Sequence, residues 1–219
     1  MNIKTSASLL AADLSDLRRE TAHCIDAGVD WIHFDVMDGQ FVEQITYGAP
    51  VLKRLKPHCS LPLDVHLMVD NPARQIEFFA EAGADLITIH IESNCDPAAC
   101  LKRIRELGMR SSLAVKPNTP VESVYEYLPL CDMILVMTVE PGYGGQGFIP
   151  EMMPKVKKLR EYADSHRFQN LDIQVDGGIN TKTAESAKSA GANILVAGTG
   201  LFKADDMKAE NSALKGLSK

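Results

Sequence analysis

The chain has 219 residues, with 23 Lys or Arg against 29 Asp or Glu, a formal charge of −6, and a 45% hydrophobic, 24% charged composition. That balance excludes a disordered chain, and mild acidity without a basic stripe excludes a nucleic-acid scaffold. The longest apolar stretch, Met133–Val139, falls far short of the ~20 residues that span a bilayer, so neither a membrane nor a nucleic acid is an expected partner.

In chain order, the first strand is expected over Ile3–Leu10. An amphipathic stretch follows and stops at Ala27-Gly28-Val29-Asp30. The next strands are Trp31–Met37 and Leu61–Val69. Asn71-Pro72 then reads as a helix start, with a capping side chain before a proline at the first helical position. That helix stops at Ala82-Gly83-Ala84-Asp85, and a strand Leu86–Ile91 follows. Asp96-Pro97 opens a helix that stops at Leu107-Gly108. Strand Arg110–Lys116, helix start Thr119-Pro120, and strands Met133–Val139 and Leu171–Asp176 come next. Ala190-Gly191-Ala192-Asn193 closes the last of these helices before strand Ile194–Gly198. Each glycine sits where a left-handed helix C-cap belongs. Their separations of 55, 25 and 83 residues correspond to two, one and three units of about 27. Eight such strand–helix units fit the length, so a (β/α)₈ barrel occupying 1–219 as one domain is expected.

In such a barrel the active site lies at the C-terminal strand ends, so polar residues there are the informative ones. His33 and Asp35 share one face of the second strand, His66 repeats the pattern on the third, and Asp176 ends the seventh. Two imidazoles and two carboxylates suit a divalent Zn²⁺, Fe²⁺, Mn²⁺ or Co²⁺ ion. Asp64 and His90 read as supporting groups, and His23, His58 and His166 as solvated. Glycine clusters follow strands six (Pro141 to Gly147), seven (Gly177-Gly178) and eight (Gly198-Thr199-Gly200), where bare backbone N–H groups can cradle a phosphate. Met37, Met68 and Met137 end strands two, three and six, placed either as core filler or as a dry wall over a reacting carbon. The five cysteines form no CxxC pair, and the N-terminal Ala7–Ala12 run is too short for a signal segment. Reduced thiols and a cytoplasmic setting are therefore expected.

A cation, two carboxylates and a phosphate grip suit proton abstraction beside a carbonyl in a small phosphorylated sugar. A carboxylate roughly ten to fifteen pKa units below an α-carbonyl C–H faces an uphill transfer of roughly 14–20 kcal/mol, which calls for Lewis-acid help. Two carboxylates on opposite faces of the planar intermediate would invert the centre.

These residues carry a resemblance. Ala7-Ser8-Leu9-Leu10, His33-Phe34-Asp35-Val36-Met37-Asp38-Gly39, Leu63-Asp64-Val65-His66-Leu67-Met68, Val136 to Gln146 and Val175-Asp176-Gly177-Gly178 together resemble the ribulose-phosphate 3-epimerase family. The resemblance implies exchange of D-ribulose 5-phosphate and D-xylulose 5-phosphate by inversion at C3, with Asp35 and Asp176 as the acid/base pair. It makes His33, Asp35, His66 and Asp176 metal ligands and Ser8 and His66 substrate contacts. Gly142, Tyr143, Gly144, Gly145, Gly177, Gly178, Gly198 and Thr199 would hold the phosphate end, and a homo-oligomer is implied. The chain departs from the family pattern at Glu43-Gln44, where Pro-Asn is usual, at Gln40, and at Gly198-Thr199-Gly200. Those changes leave a ketohexose phosphate such as D-allulose 6-phosphate as the alternative substrate, while Lys116-Pro117 resembles the pentulose branch.

Overall fold

The computed structural model describes residues 2–216. Eight parallel strands close into a barrel in sequence order, each hydrogen-bonded to the next and the eighth to the first. They are β1 Lys4–Ser8, β2 Trp31–Met37, β3 Leu63–Met68, β4 Leu86–His90, β5 Arg110–Val115, β6 Met133–Met137, β7 Asp172–Asp176 and β8 Ile194–Ala197. β2 fills its expected run, and the other seven strands are one to three residues shorter than the apolar runs suggest, because the ends of those runs peel into loops. The helices are α1 Leu17–Asp26, α2 Ala49–Leu55, α3 Ile76–Ala82, α4 Pro97–Glu106, α5 Met153–Ser165, α6 Thr181–Ser189, α7 Thr199–Phe202 and α8 Met207–Lys215. Among the described residues no helix is long and apolar enough to cross a membrane.

Local chemistry accounts for most boundaries. Asp96 accepts hydrogen bonds from the Ala98 and Ala99 N–H groups, and Pro97 follows at the first helical position, so α4 begins there. Cys100, Leu101 and Ile104 form its buried stripe. Gly28, Gly83, Gly108 and Gly191 all have positive φ, as the repeat required. Two expected starts turn out differently. After Asn71-Pro72 the chain makes a 3-10 turn over Pro72–Arg74 with no side-chain cap, and α3 begins only at Ile76. After Thr119-Pro120 comes a ten-residue 3-10 run, Val121–Leu130. Pro129 within it has no N–H to give to an α-helical ladder.

Strand register stacks the barrel interior in layers drawn from alternate strands. Trp31, Leu86, Met133 and Ile194 form an apolar layer near the N-terminal end. Above it lie Ser6, Asp64, Ser112 and Gln174, then His33, Thr88, Leu135 and Val196. Ser8, His66, Ala114 and Asp176 come next, with Asp35 and Met37 at the C-terminal rim. The larger core lies between strands and helices, where Phe34 packs edge-on against Phe79 with ring centroids 6.5 Å apart. Each such fully buried side chain contributes about 1.5–3 kcal/mol. An apolar shell thus fixes strands whose inner faces are half polar.

Candidate active site and metal centre

The register of β2 against β3 sets Asp35 beside His66, and the register of β6 against β7 sets Met137 beside Asp176. One ligand atom from each of His33, Asp35, His66 and Asp176 lies within 4.8 Å of every other. His33 Nε2 and His66 Nδ1 are 3.3 Å apart, and Asp35 Oδ1 lies 3.3 Å from the first and 3.2 Å from the second. Asp176 Oδ2 is 3.8 Å from both nitrogens. The four residues expected together from sequence are therefore gathered at one point.

Hydrogen bonding decides which atoms carry protons. Asp64 Oδ2 is 2.8 Å from His33 Nδ1, and a carboxylate only accepts, so Nδ1 carries the hydrogen and Nε2 presents a lone pair. Asp64 is itself held by Gln174 Nε2 at 2.6 Å and by the Ser6 hydroxyl at 3.3 Å. On the other side, His90 Nδ1 faces Glu92 Oε2 at 3.1 Å, and His90 Nε2 faces His66 Nε2 at 2.8 Å. Glu92 fixes the hydrogen on His90 Nδ1, so His66 donates from Nε2 and its Nδ1 also presents a lone pair. Four acceptors thus converge, two of them carboxylate oxygens, in a site where both histidines are fully buried and Asp35 nearly so. Without a positive charge that arrangement is costly. A divalent transition ion satisfies all four donor atoms and both charges. The residues fit a metal ion.

The electrostatics agree. Burial lowers the His33 imidazole, but Asp35 and Asp64 outweigh it and hold it well above its ordinary value. A proton drawn to His33 marks the place where the cluster wants positive charge. Asp35 resists the upward push of burial because His33 and His66 hold its carboxyl well below the usual range. Ser8 Oγ donates to its other oxygen at 2.6 Å. Burial and the facing Asp35 raise Asp176 to about 6. In the metal-free chain the two carboxylates are therefore pushed in opposite directions, Asp35 toward the ionised form and Asp176 toward the protonated one.

A cavity of about 770 Å³ opens above this cluster. Its walls include Ser8, Asp35, Asp176 and all three rim methionines, each nearly buried, together with every glycine from Gly142 to Gly145 and Gly177, Gly178, Gly198 and Thr199. Two glycines show why no side chain is tolerated there. A Cβ on Gly178 would lie 2.3 Å from the Phe148 backbone nitrogen, and one on Gly177 2.4 Å from Val139 Cγ2. The loop after β7 therefore packs against the Phe148 backbone at Gly178 and against the Val139 side chain at Gly177, and only glycine allows that approach. Gln146 closes the first of these loops by donating from Nε2 to the Glu140 and Tyr143 carbonyls at 2.7 and 2.9 Å. Lys182, Ser186 and Phe148 also line the cavity, although sequence reasoning did not mark them. The signal for Lys182 was its place in the first turn of α6. His23, His58 and His166 are exposed and distant from the cluster in the fold.

Comparison with known proteins gives a consistent family. The model of the Ribulose-phosphate 3 epimerase family matches residues 4–202. A ribulose-phosphate 3-epimerase of Eremothecium gossypii is 44% identical, covering 95% of this chain and 90% of the relative. One from Bacillus subtilis is 41% identical, covering 98% and 99%. Among solved structures, 3-hexulose-6-phosphate synthase from Salmonella typhimurium superposes with a TM-score of 0.71 at 18% identity over 98% of both chains, a likeness of fold.

Proposed function

The chain belongs to the ribulose-phosphate 3-epimerase family of isomerases, and from that premise we propose that it interconverts D-ribulose 5-phosphate and D-xylulose 5-phosphate by inverting C3. The observation that carries this reading is the pairing of Asp35 with Asp176 in one cluster with His33 and His66, with one ligand atom from each residue within 4.8 Å of the others. One carboxylate takes the C3 proton from one face of the sugar and the other returns a proton to the opposite face. Ser8 holds Asp35 in place through its 2.6 Å hydrogen bond and also meets the substrate. Met37, Met68 and Met137 wall the reacting carbon and keep water from the planar intermediate. The glycine loops after β6, β7 and β8 receive the phosphate through backbone N–H groups, so the dianion is held without a net positive surface. His33, Asp35, His66 and Asp176 would hold one Zn²⁺, Fe²⁺, Mn²⁺ or Co²⁺ ion. When bound, that ion supplies Lewis-acid stabilisation of the negative charge that develops beside C3. Five free thiols suit a reducing, cytoplasmic setting.

The test is exchange of the C3 hydrogen in deuterated water. Ribulose 5-phosphate should return as a mixture with xylulose 5-phosphate, deuterated at C3, with a higher kcat/KM than D-allulose 6-phosphate. Activity should vanish on verified metal removal and return with a divalent ion. A clear preference for the hexulose phosphate would reassign the substrate, and full activity without metal would remove the ion from the chemistry.

A further inference from the structure

The two histidines of the cluster are supported by different devices. His33 leans directly on the Asp64 carboxylate. His66 leans on a second imidazole, and only beyond it on a carboxylate. The His66 and His90 rings meet edge to edge through their Nε2 atoms, with centroids 5.0 Å apart and planes 27° from parallel, and the Phe41 ring lies 4.8 Å from His90. Glu92 is pinned from its other side, where Oε1 accepts the backbone N–H of Lys116 at 2.8 Å. His90 is fully buried.

We propose that His90 and Glu92 are positioning residues that set the tautomer of His66, so that its Nδ1 lone pair faces the cation. This rests on the metal reading above and deepens it. The direction of the hydrogen-bond chain is what matters. Run forward, from His66 to His90 to Glu92, it leaves Nδ1 of His66 free to bind an ion. Run backward, it puts a hydrogen on that Nδ1, where Asp35 Oδ1 at 3.2 Å would accept it. The wrong tautomer is therefore comfortable whenever the ion is absent, and nothing in His66 itself prevents it. Only the acceptor at the far end selects the direction, because a carboxylate has no hydrogen to send back. Hydrogen-bonded groups behind a metal-binding histidine commonly act in this way.

The decisive substitution is Glu92→Gln. Its amide oxygen must stay on the Lys116 N–H, which can only donate, so the amide NH₂ turns toward His90. His90 then has to accept at Nδ1, donate from Nε2, and drive the hydrogen of His66 onto Nδ1. A nearly isosteric change reverses the whole chain. Glu92→Ala removes the acceptor without imposing a donor, and leaves His90 free to choose.

Zinc affinity, measured by competition with a chromophoric chelator, should fall about 10–100-fold in Glu92→Gln. The fall in Glu92→Ala should be smaller. A purely structural role for Glu92 gives the opposite order, since alanine is the larger disruption. Nitrogen-15 shifts of the metal-free proteins should show the His66 lone pair on Nδ1 in the native chain and on Nε2 in Glu92→Gln. His90→Phe keeps a ring against Phe41 but accepts nothing from His66, and should also weaken zinc binding. Affinity within twofold of native in Glu92→Gln, an unchanged His66 tautomer, or a larger loss in Glu92→Ala would each overturn the proposal. A native chain that takes up no zinc would instead overturn the metal reading beneath it.

Discussion

Asp172 and Asp176 stand on the same strand and the same inner face, one at each end of the barrel. At the N-terminal end Asp172 is surrounded by donors. Arg110 reaches it at 2.7 Å, Asn193 Nδ2 at 2.6 Å and Lys4 at 3.4 Å, while Lys4 and Arg110 also lie over the Trp31 ring. Burial pushes the Asp172 carboxyl up, but Arg110 and Asn193 outweigh it and hold it below the usual range. At the C-terminal end Asp176 has no side-chain donor among the described residues, and another carboxylate faces it. Its pKa moves the opposite way. Residue type, strand and inward face are shared, and the neighbours at each end separate a structural clamp from a reactive group. The end left electrostatically incomplete is the one that can take a ligand.

The largest expected effect tests the incomplete end. Asp176→Asn should lower kcat by about 10²–10⁴-fold, the usual contribution of a positioned acid or base. It should also stabilise the metal-free protein, because a half-buried carboxylate opposite Asp35 is removed. A rise of ~2–4 °C in Tm corresponds to 1 kcal/mol in a chain of this size. Near-normal turnover would take Asp176 out of the mechanism, and a fall in Tm would undo the comparison.

Asp172→Asn should do the reverse. Losing a charged acceptor for Arg110 should cost about 1–3 kcal/mol by denaturant unfolding, with kcat little changed. The sign of the pH dependence follows from the lowered pKa. The Asp172 contribution is complete above the unfolded aspartate value of about 4 and is lost as pH falls through the lower folded value. The variant should therefore lose part of the native chain's acid-side decline in stability. An unchanged acid limb would show that the N-terminal end is held by something other than this carboxylate.

These two ends were not equally legible in the sequence. The barrel, its eight strands and the metal-fitting residues could be read because they depend on local signals: β-rich runs, C-cap glycines, and His or Asp at strand ends. Asp176 announced itself through the Gly177-Gly178 pair that follows it. The clamp around Asp172 could not be read, since Lys4 lies 168 residues away and meets it only because β8 closes on β1. The chain from His66 through His90 to Glu92 was hidden for a related reason. Each residue is visible alone, but their contact depends on the register between β3 and β4. The 3-10 run Val121–Leu130 departs from the ordinary helix that Thr119-Pro120 predicts because Pro120 suits either start, and Pro129 decides only once the segment is packed.

The smallest effect sharpens the contrast most finely. Lys4 touches Asp172 at 3.4 Å and lies 5.0 Å from the Trp31 ring centroid, yet its side chain is 29% exposed. Lys4→Met should therefore cost no more than about 1 kcal/mol, the range of a partly solvated ion pair with a weak cation–π contact. Asp172 would still hold Arg110 and Asn193, and the methionine would keep much of the apolar cover over Trp31. Added salt should narrow the difference further, because the pair is screened. At the other end no such redundancy exists: each of the four converging acceptors is one quarter of a ligand set. If Lys4→Met proved as damaging to stability as Asp172→Asn, the N-terminal end would be as finely balanced as the site itself, and completeness of pairing would no longer explain why one aspartate reacts and the other does not.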